Sequence, residues 1–218
     1  MLLPTLLPLL NSRYVVQQTE PRPREMPLYA HSTSYRDWVQ AWTLWLIRSS
    51  RPGDAASLFH IFTSVVRDHD VGIAQYLLPH LVLHILISGS SQQRRTVLGE
   101  SLAVLADQAH PALGYEPERR RLTAQTLFHV LDHVGHWMRR MRLVPLRMAR
   151  RSRWRDALSD VQAIMDELSP DLLAQASLQC DAYARALLHF EYRIRAMRPQ
   201  PSETLQPYYE TMHEIYAS

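Results

Sequence analysis

A chain of 218 residues can bury a full hydrophobic core, as one domain or as two small ones. Six glycines and a single asparagine, Asn11, are too few for the many positive-φ turns of a sandwich or barrel, whereas stretches rich in Leu, Ala, Arg and Gln favour helices, so the expected class is all-α with no sheet. The net charge is only +3, yet all 24 basic residues are arginine; the chain cannot supply the lysine that protein kinases and P-loop ATPases place on nucleotide phosphates.

The N-terminal MLLPTLLPLL imitates a signal-peptide core, but no basic residue precedes it and Pro4 and Pro8 interrupt it. It reads as the end of a helix cut from something longer. Residues 11–33, with Pro21, Pro23 and Pro27 and no apolar period, read as a linker, so that 1–33 form a helix end plus a Pro-rich linker. A helix then begins near Ser34 with Trp38, Trp42 and Trp45 on one face. Asp54 looks like the cap of a second, whose stripe is Leu58, Phe59, Phe62, Val65 and Val66. Asp70 would cap a third, running to about Ile87, apolar nearly all round and therefore central, with Pro79 kinking it and Gly89 ending it. No run approaches the ~20 apolar residues of a membrane span, since Leu81–Ile87 is short and carries His84.

Ser91 opens a fourth helix on Leu98, Leu102 and Leu105, and Pro111–Pro117 reads as a loop. A fifth, about Glu118–Met141, turns Leu127, Val130, Leu131, Val134 and Trp137 inward. Residues 34–141 thus form a helical-repeat region and 142–152 an Arg-rich loop. Beyond it, residues 153–168 are amphipathic on Trp154, Leu158, Val161, Ile164 and Leu168. Ser169-Pro170 is a cap followed by proline at the first helical position. Ala174, Ala176, Ala182, Ala184 and Ala186 allow close helix approach, and a last helix, about 203–216, presents Leu205, Tyr208, Tyr209, Met212 and Ile215. Helical pairs with short loops suggest an α-solenoid of stacked hairpins, HEAT- or TPR-like.

Few residues offer chemistry. Val66-Arg67-Asp68 followed by Asp70-Val71-Gly72 imitates a kinase catalytic loop and its metal-binding partner, but two aspartates so close cannot sit on separate loops, and the required asparagine is missing. His129, Asp132, His133 and His136 share one helix face at spacings that could ligate zinc, although histidines often only border a core. His80 and His84 lack the HExxH glutamate, no GxSxG occurs, and a lone Cys180 excludes a disulfide framework or a Cys-cluster zinc site, so no cofactor is expected. Between Arg139 and Arg155 lie Arg139, Arg140, Arg142, Arg147, Arg150, Arg151, Arg153 and Arg155 with no acidic residue, which leaves the remainder of the chain at −5. That segment is either a solvated loop or a contact for phosphate, nucleic acid or an acidic protein.

Three passages, SVVRDHDVGIAQYLLPHLVLHIL (residues 64–86), TLFHVLDHVGHW (126–137) and SPDLLAQASLQCDAYARALLHFE (169–191), resemble, in order and spacing, the ATR-type checkpoint kinases of the phosphatidylinositol 3-kinase-related protein kinase family. The likeness covers about residues 35–216; the first 30 residues and the loops at 108–120 and 139–155 match poorly, and His129 and His136 depart from the pattern. It implies a non-catalytic scaffold ahead of the kinase domain, with 153–218 as the start of the helical FAT region. It also implies a nuclear serine/threonine kinase of the DNA-damage and replication-stress response as parent, and the rest of that polypeptide as partner, with no membrane. No catalytic residue carries over. The competing reading is a stand-alone helical adaptor that uses Arg139–Arg155.

Overall fold

The fold is seen in a computed structural model that describes residues 25–51, 53–68, 71–110, 116–143, 151–197 and 202–217. Among these residues every regular element is a helix: α1 (Leu28–His31), α2 (Tyr35–Ser49), α3 (Asp54–Ile61), α4 (Thr63–Asp68), α5 (Val71–Ser88), α6 (Ser91–Ala109), α7 (Pro117–Leu143), α8 (Arg151–Asp166), α9 (Pro170–Leu178), α10 (Tyr183–Met197) and α11 (Ser202–Ala217). The expected all-α array of packed hairpins is what forms.

Local chemistry sets the ends. Ser34 caps α2 by accepting from the Asp37 N–H at 3.1 Å. The cap of α6 is Ser90, one residue ahead of the expected Ser91, in a reciprocal box with Gln93: the Gln93 N–H reaches Ser90 Oγ at 3.2 Å and the Ser90 N–H reaches Gln93 Oε1 at 2.8 Å. Asp54 is not a cap; Gly53 precedes it and Asp54 is the first helical residue. Pro170 does occupy the start of α9. Asp181, at φ 58°, turns the chain from α9 into α10, a left-handed conformation that Asp tolerates.

α5 is the hub. It packs on α2, α4, α6, α7 and α8, and Ala74, Leu77, Leu78, Leu81, Val82, Ile85 and Leu86 are buried. The helix stays continuous through Pro79, whose missing N–H leaves the Gln75 carbonyl without its i+4 donor. Contrary to expectation, its 18 residues, with a mean hydropathy of 1.6, are long and apolar enough for a membrane span; packing inside the array accounts for that apolarity. Trp38 and Trp42 are fully buried against it and Trp45 is half-buried.

Several expectations fail where the helix path differs from the one assumed. The second helix breaks at Phe62 into α3 and α4, and the phase of its stripe is lost: Val66 is buried, but Leu58 and Phe62 face solvent. Residues 25–33 are no plain linker, since Leu28 and Tyr29 of α1 belong to the core. α7 runs through Leu143, and residues 151–152 already belong to α8, so both ends of the expected Arg-rich loop are helical. Trp154, Ala184 and Tyr209 are exposed rather than inward. Nor does the Arg-rich segment divide the core, which runs unbroken from Leu28 to Cys180; a small second cluster of Ala174, Ala186, Phe190 and Ile215 holds α9, α10 and α11 together. The expectations for Met1–Leu10, the Asp70 cap and most of the Pro111–Pro117 loop fall outside the described residues; Pro117 itself opens α7.

Candidate functional site

Of the eight arginines of the basic segment, the side chains of four, Arg139, Arg140, Arg142 and Arg155, are among the described residues. Arg139, Arg140 and Arg142 sit exposed on the last turns of α7, where positive charge complements the helix dipole. Arg139 lies 3.4 Å from His136 Nδ1, and Arg142 donates to Gln162 of α8. Arg155 is exposed on α8, and none of these four is ion-paired among the described residues. Arg151 and Arg153 fall in the first turn of α8, while Arg147 and Arg150 lie outside the described residues.

On the histidine face of α7, His133 meets α5, while His129 and His136 are exposed. The rings of His80 and His133 stand edge to face at 4.6 Å, and Tyr76 packs on His80 at 5.6 Å. Burial, then the neighbouring His80, His129 and His136, hold the His133 pKa below the usual histidine value. Asp132, expected to join this cluster, is drawn to the other side by the Arg185 guanidinium of α10, which grips both its carboxylate oxygens and lies 4.8 Å over the Phe128 ring. Among the described residues no group of three His, Cys, Asp or Glu side chains is placed to hold a metal ion. His84 packs on Phe59 at 5.8 Å, and burial lowers its pKa. Val66, Arg67 and Asp68 are helical in α4, which removes the likeness to a kinase loop.

Sequence reasoning missed the polar group with the most partners in the core. Glu100 of α6 is fully buried, and its carboxylate accepts from the Leu28 N–H at 2.7 Å, the Tyr29 N–H at 2.8 Å and Trp38 Nε1 at 2.7 Å. Burial raises its pKa, and the three donors offset part of that rise. Beside it, Tyr29 Oη donates to Asp107 at 2.5 Å, and the buried Arg119 of α7 donates to the Tyr29 carbonyl at 2.7 Å. The signal was present in the sequence: Glu100 falls three residues after Val97 and four before Val104, on the buried face of α6.

The arrangement is one of helices stitched by apolar contact and a few buried polar ties, and comparison with known proteins agrees. The family model described as the M-HEAT region of the serine/threonine-protein kinase ATR matches residues 22–218. Protein kinase rad3 of Schizosaccharomyces pombe is 26% identical over 227 residues, covering 97% of this chain and 10% of that protein. The serine/threonine-protein kinase ATR of Oryza sativa subsp. indica is 28% identical over 214 residues, covering 86% of this chain and 8% of that protein. The serine/threonine-protein kinase MEC1 of Eremothecium gossypii is 22% identical over 222 residues, covering 96% and 10%. The chain therefore spans a tenth or less of the length of these relatives. No solved structure matches it. By this match over nearly its whole length, the chain belongs to the ATR family of serine/threonine-protein kinases, as the helical M-HEAT region.

Proposed function

We propose that this chain is a non-catalytic scaffold segment of an ATR-type serine/threonine kinase that acts in the nucleus in the DNA-damage and replication-stress checkpoint. Its work is mechanical: stacked helices hold the kinase domain relative to the rest of the polypeptide and pass strain between them. The family match over residues 22–218 carries this reading. The continuous core supports it, because close-packed interiors deform little and transmit displacement. Two assays test it. The 218-residue chain given ATP and Mg²⁺ should transfer no phosphate to a peptide, whereas the parent polypeptide should. In the parent, Leu81→Asp, a charge placed in the fully buried centre of α5, lowers kinase activity without touching a catalytic residue. Full activity with Leu81→Asp in the parent would sink the mechanical reading.

The second reading is contact with an acidic protein or nucleic acid, and the observation in its favour is the exposed set Arg139, Arg140, Arg142 and Arg155, without an ion-pair partner among the described residues. It predicts salt-sensitive binding of a polyanion that is lost in the Arg139→Glu, Arg140→Glu, Arg142→Glu triple variant. Binding unchanged by that variant would remove it.

A further inference from the structure

α1 is four residues long, too short to persist by itself, and its own sequence provides no side-chain N-cap: Pro27 precedes it and caps nothing. Its N-terminal end is instead finished by another helix, and its C-terminal end by another helix together with its own Ser32. At the N-terminal end the Glu100 carboxylate of α6 takes the first two helical N–H groups, those of Leu28 and Tyr29. Toward the C-terminal end the Arg119 guanidinium of α7 takes the Tyr29 carbonyl, and Ser32 Oγ takes the Leu28 carbonyl at 2.7 Å. An anion thus meets the positive end of α1 and a cation the negative end, as the helix dipole favours. Asp107, two turns along α6 from Glu100, receives the Tyr29 hydroxyl, while the Tyr29 ring lies under Arg119 at 4.7 Å and edge-on to Trp38 at 6.2 Å.

We propose that residues 26–32 are a strap latched to the array by Glu100 and released only as a unit, so that displacement of the chain ahead of it is delivered to α6 and α7 through this latch. The all-or-none character follows from burial. Glu100 is 0% exposed, Tyr29 3% and Arg119 6%, so these three anchors do not exchange partners for water while the strap is seated; Asp107 is half-buried. Breaking one tie strands a buried charge or donor, which makes the others untenable. Seated, the strap completes the coordination of Glu100; released, it opens Glu100, Trp38 and Arg119 to solvent together. The latch stands or falls independently of what the parent polypeptide catalyses.

Amide hydrogen exchange on the 218-residue chain tests it, in the wild type and in the Glu100→Gln and Tyr29→Phe variants. Both carboxylate oxygens of Glu100 accept, so either orientation of a Gln amide sets its NH₂ against at least one N–H. In the wild type, the Leu28 and Tyr29 amides, both held by Glu100, should exchange as slowly as buried α6. In Glu100→Gln they should exchange at least about tenfold faster, with α9 and α10 unchanged. Tyr29→Phe, which removes the hydroxyl's ties to Asp107 and Thr123 and leaves Glu100 intact, should accelerate the same segment less. Fast exchange of the Leu28 and Tyr29 amides in the wild type, or no change in Glu100→Gln, would overturn the proposal. So would equal acceleration of α9 and α10 in a folded Glu100→Gln, which would make Glu100 an ordinary member of the core. Should Glu100→Gln fail to fold by circular dichroism, Tyr29→Phe decides, with acceleration confined to 28–33 supporting the latch and acceleration elsewhere refuting it.

Discussion

Two glycine-to-alanine substitutions should move stability in opposite directions. Gly89 ends α5; its N–H donates to the Ile85 carbonyl at 2.7 Å. A Cβ built there would stand 2.5 Å from that carbonyl oxygen and 3.1 Å from both Ile85 Cγ2 and Gln93 Oε1. None of these neighbours is free to yield. Ile85 is fully buried, and Gln93 is held by the capping box and by its donation to the Ser49 carbonyl at 2.7 Å. Gly89→Ala must therefore shift backbone, at a cost of about 1–3 kcal/mol. Gly99 sits exposed within α6 with nothing within 4 Å of its added Cβ, so Gly99→Ala should gain about 0.5–1 kcal/mol from helix propensity alone. With a urea slope of about 2 kcal/mol/M, the denaturation midpoint should fall by about 0.5–1.5 M for Gly89→Ala and rise by about 0.3–0.5 M for Gly99→Ala. A neutral or stabilising Gly89→Ala would show that the α5–α6 corner is not packed as described.

The histidine seam predicts acid sensitivity. Because the His133 pKa is lowered in the fold, by burial first, its contribution to stability is present above the unfolded value near 6.5 and is lost as pH falls through the folded value. Thermal melts in that range should fall less steeply with acid for His133→Gln than for the wild type; parallel profiles would contradict this. Burial pushes the Cys180 thiol up to about 11, so it should resist a disulfide reagent at pH 8 in the native chain and react at once in urea. Asp132→Asn should cost no more than about 1 kcal/mol in urea titrations, because the Asp132 side chain is 56% exposed and such pairs are screened by solvent.

The sequence makes the helices legible where one strong period runs from cap to stop. Trp38 and Trp42 on α2, the near-uniform apolarity of α5 and Pro170 at the start of α9 each have a local cause and appear as read, whereas Ser169 stands at the cap position without a side-chain cap hydrogen bond. What fails depends on contacts distant in sequence. Phe62 looks like the middle of a stripe until the chain turns there, and Trp154 looks like an anchor until α8 places it on the solvent side. Asp132 is drawn from the histidine face by Arg185, 53 residues away. Glu100 meets Leu28 across 72 residues, and nothing local to either position announces the pairing. Side-chain partnerships are less legible than helices for that reason, since they are set by which helices become neighbours.

The central claim is that this sequence works as part of a large kinase. An antibody raised against residues 153–200 and used on whole-cell extract tests it most directly. The account predicts a band many times heavier than the 25.3 kDa of this chain, and immunoprecipitates that phosphorylate serine or threonine in a peptide. A single band near 25 kDa without kinase activity would contradict it and turn attention to the arginines at the end of α7.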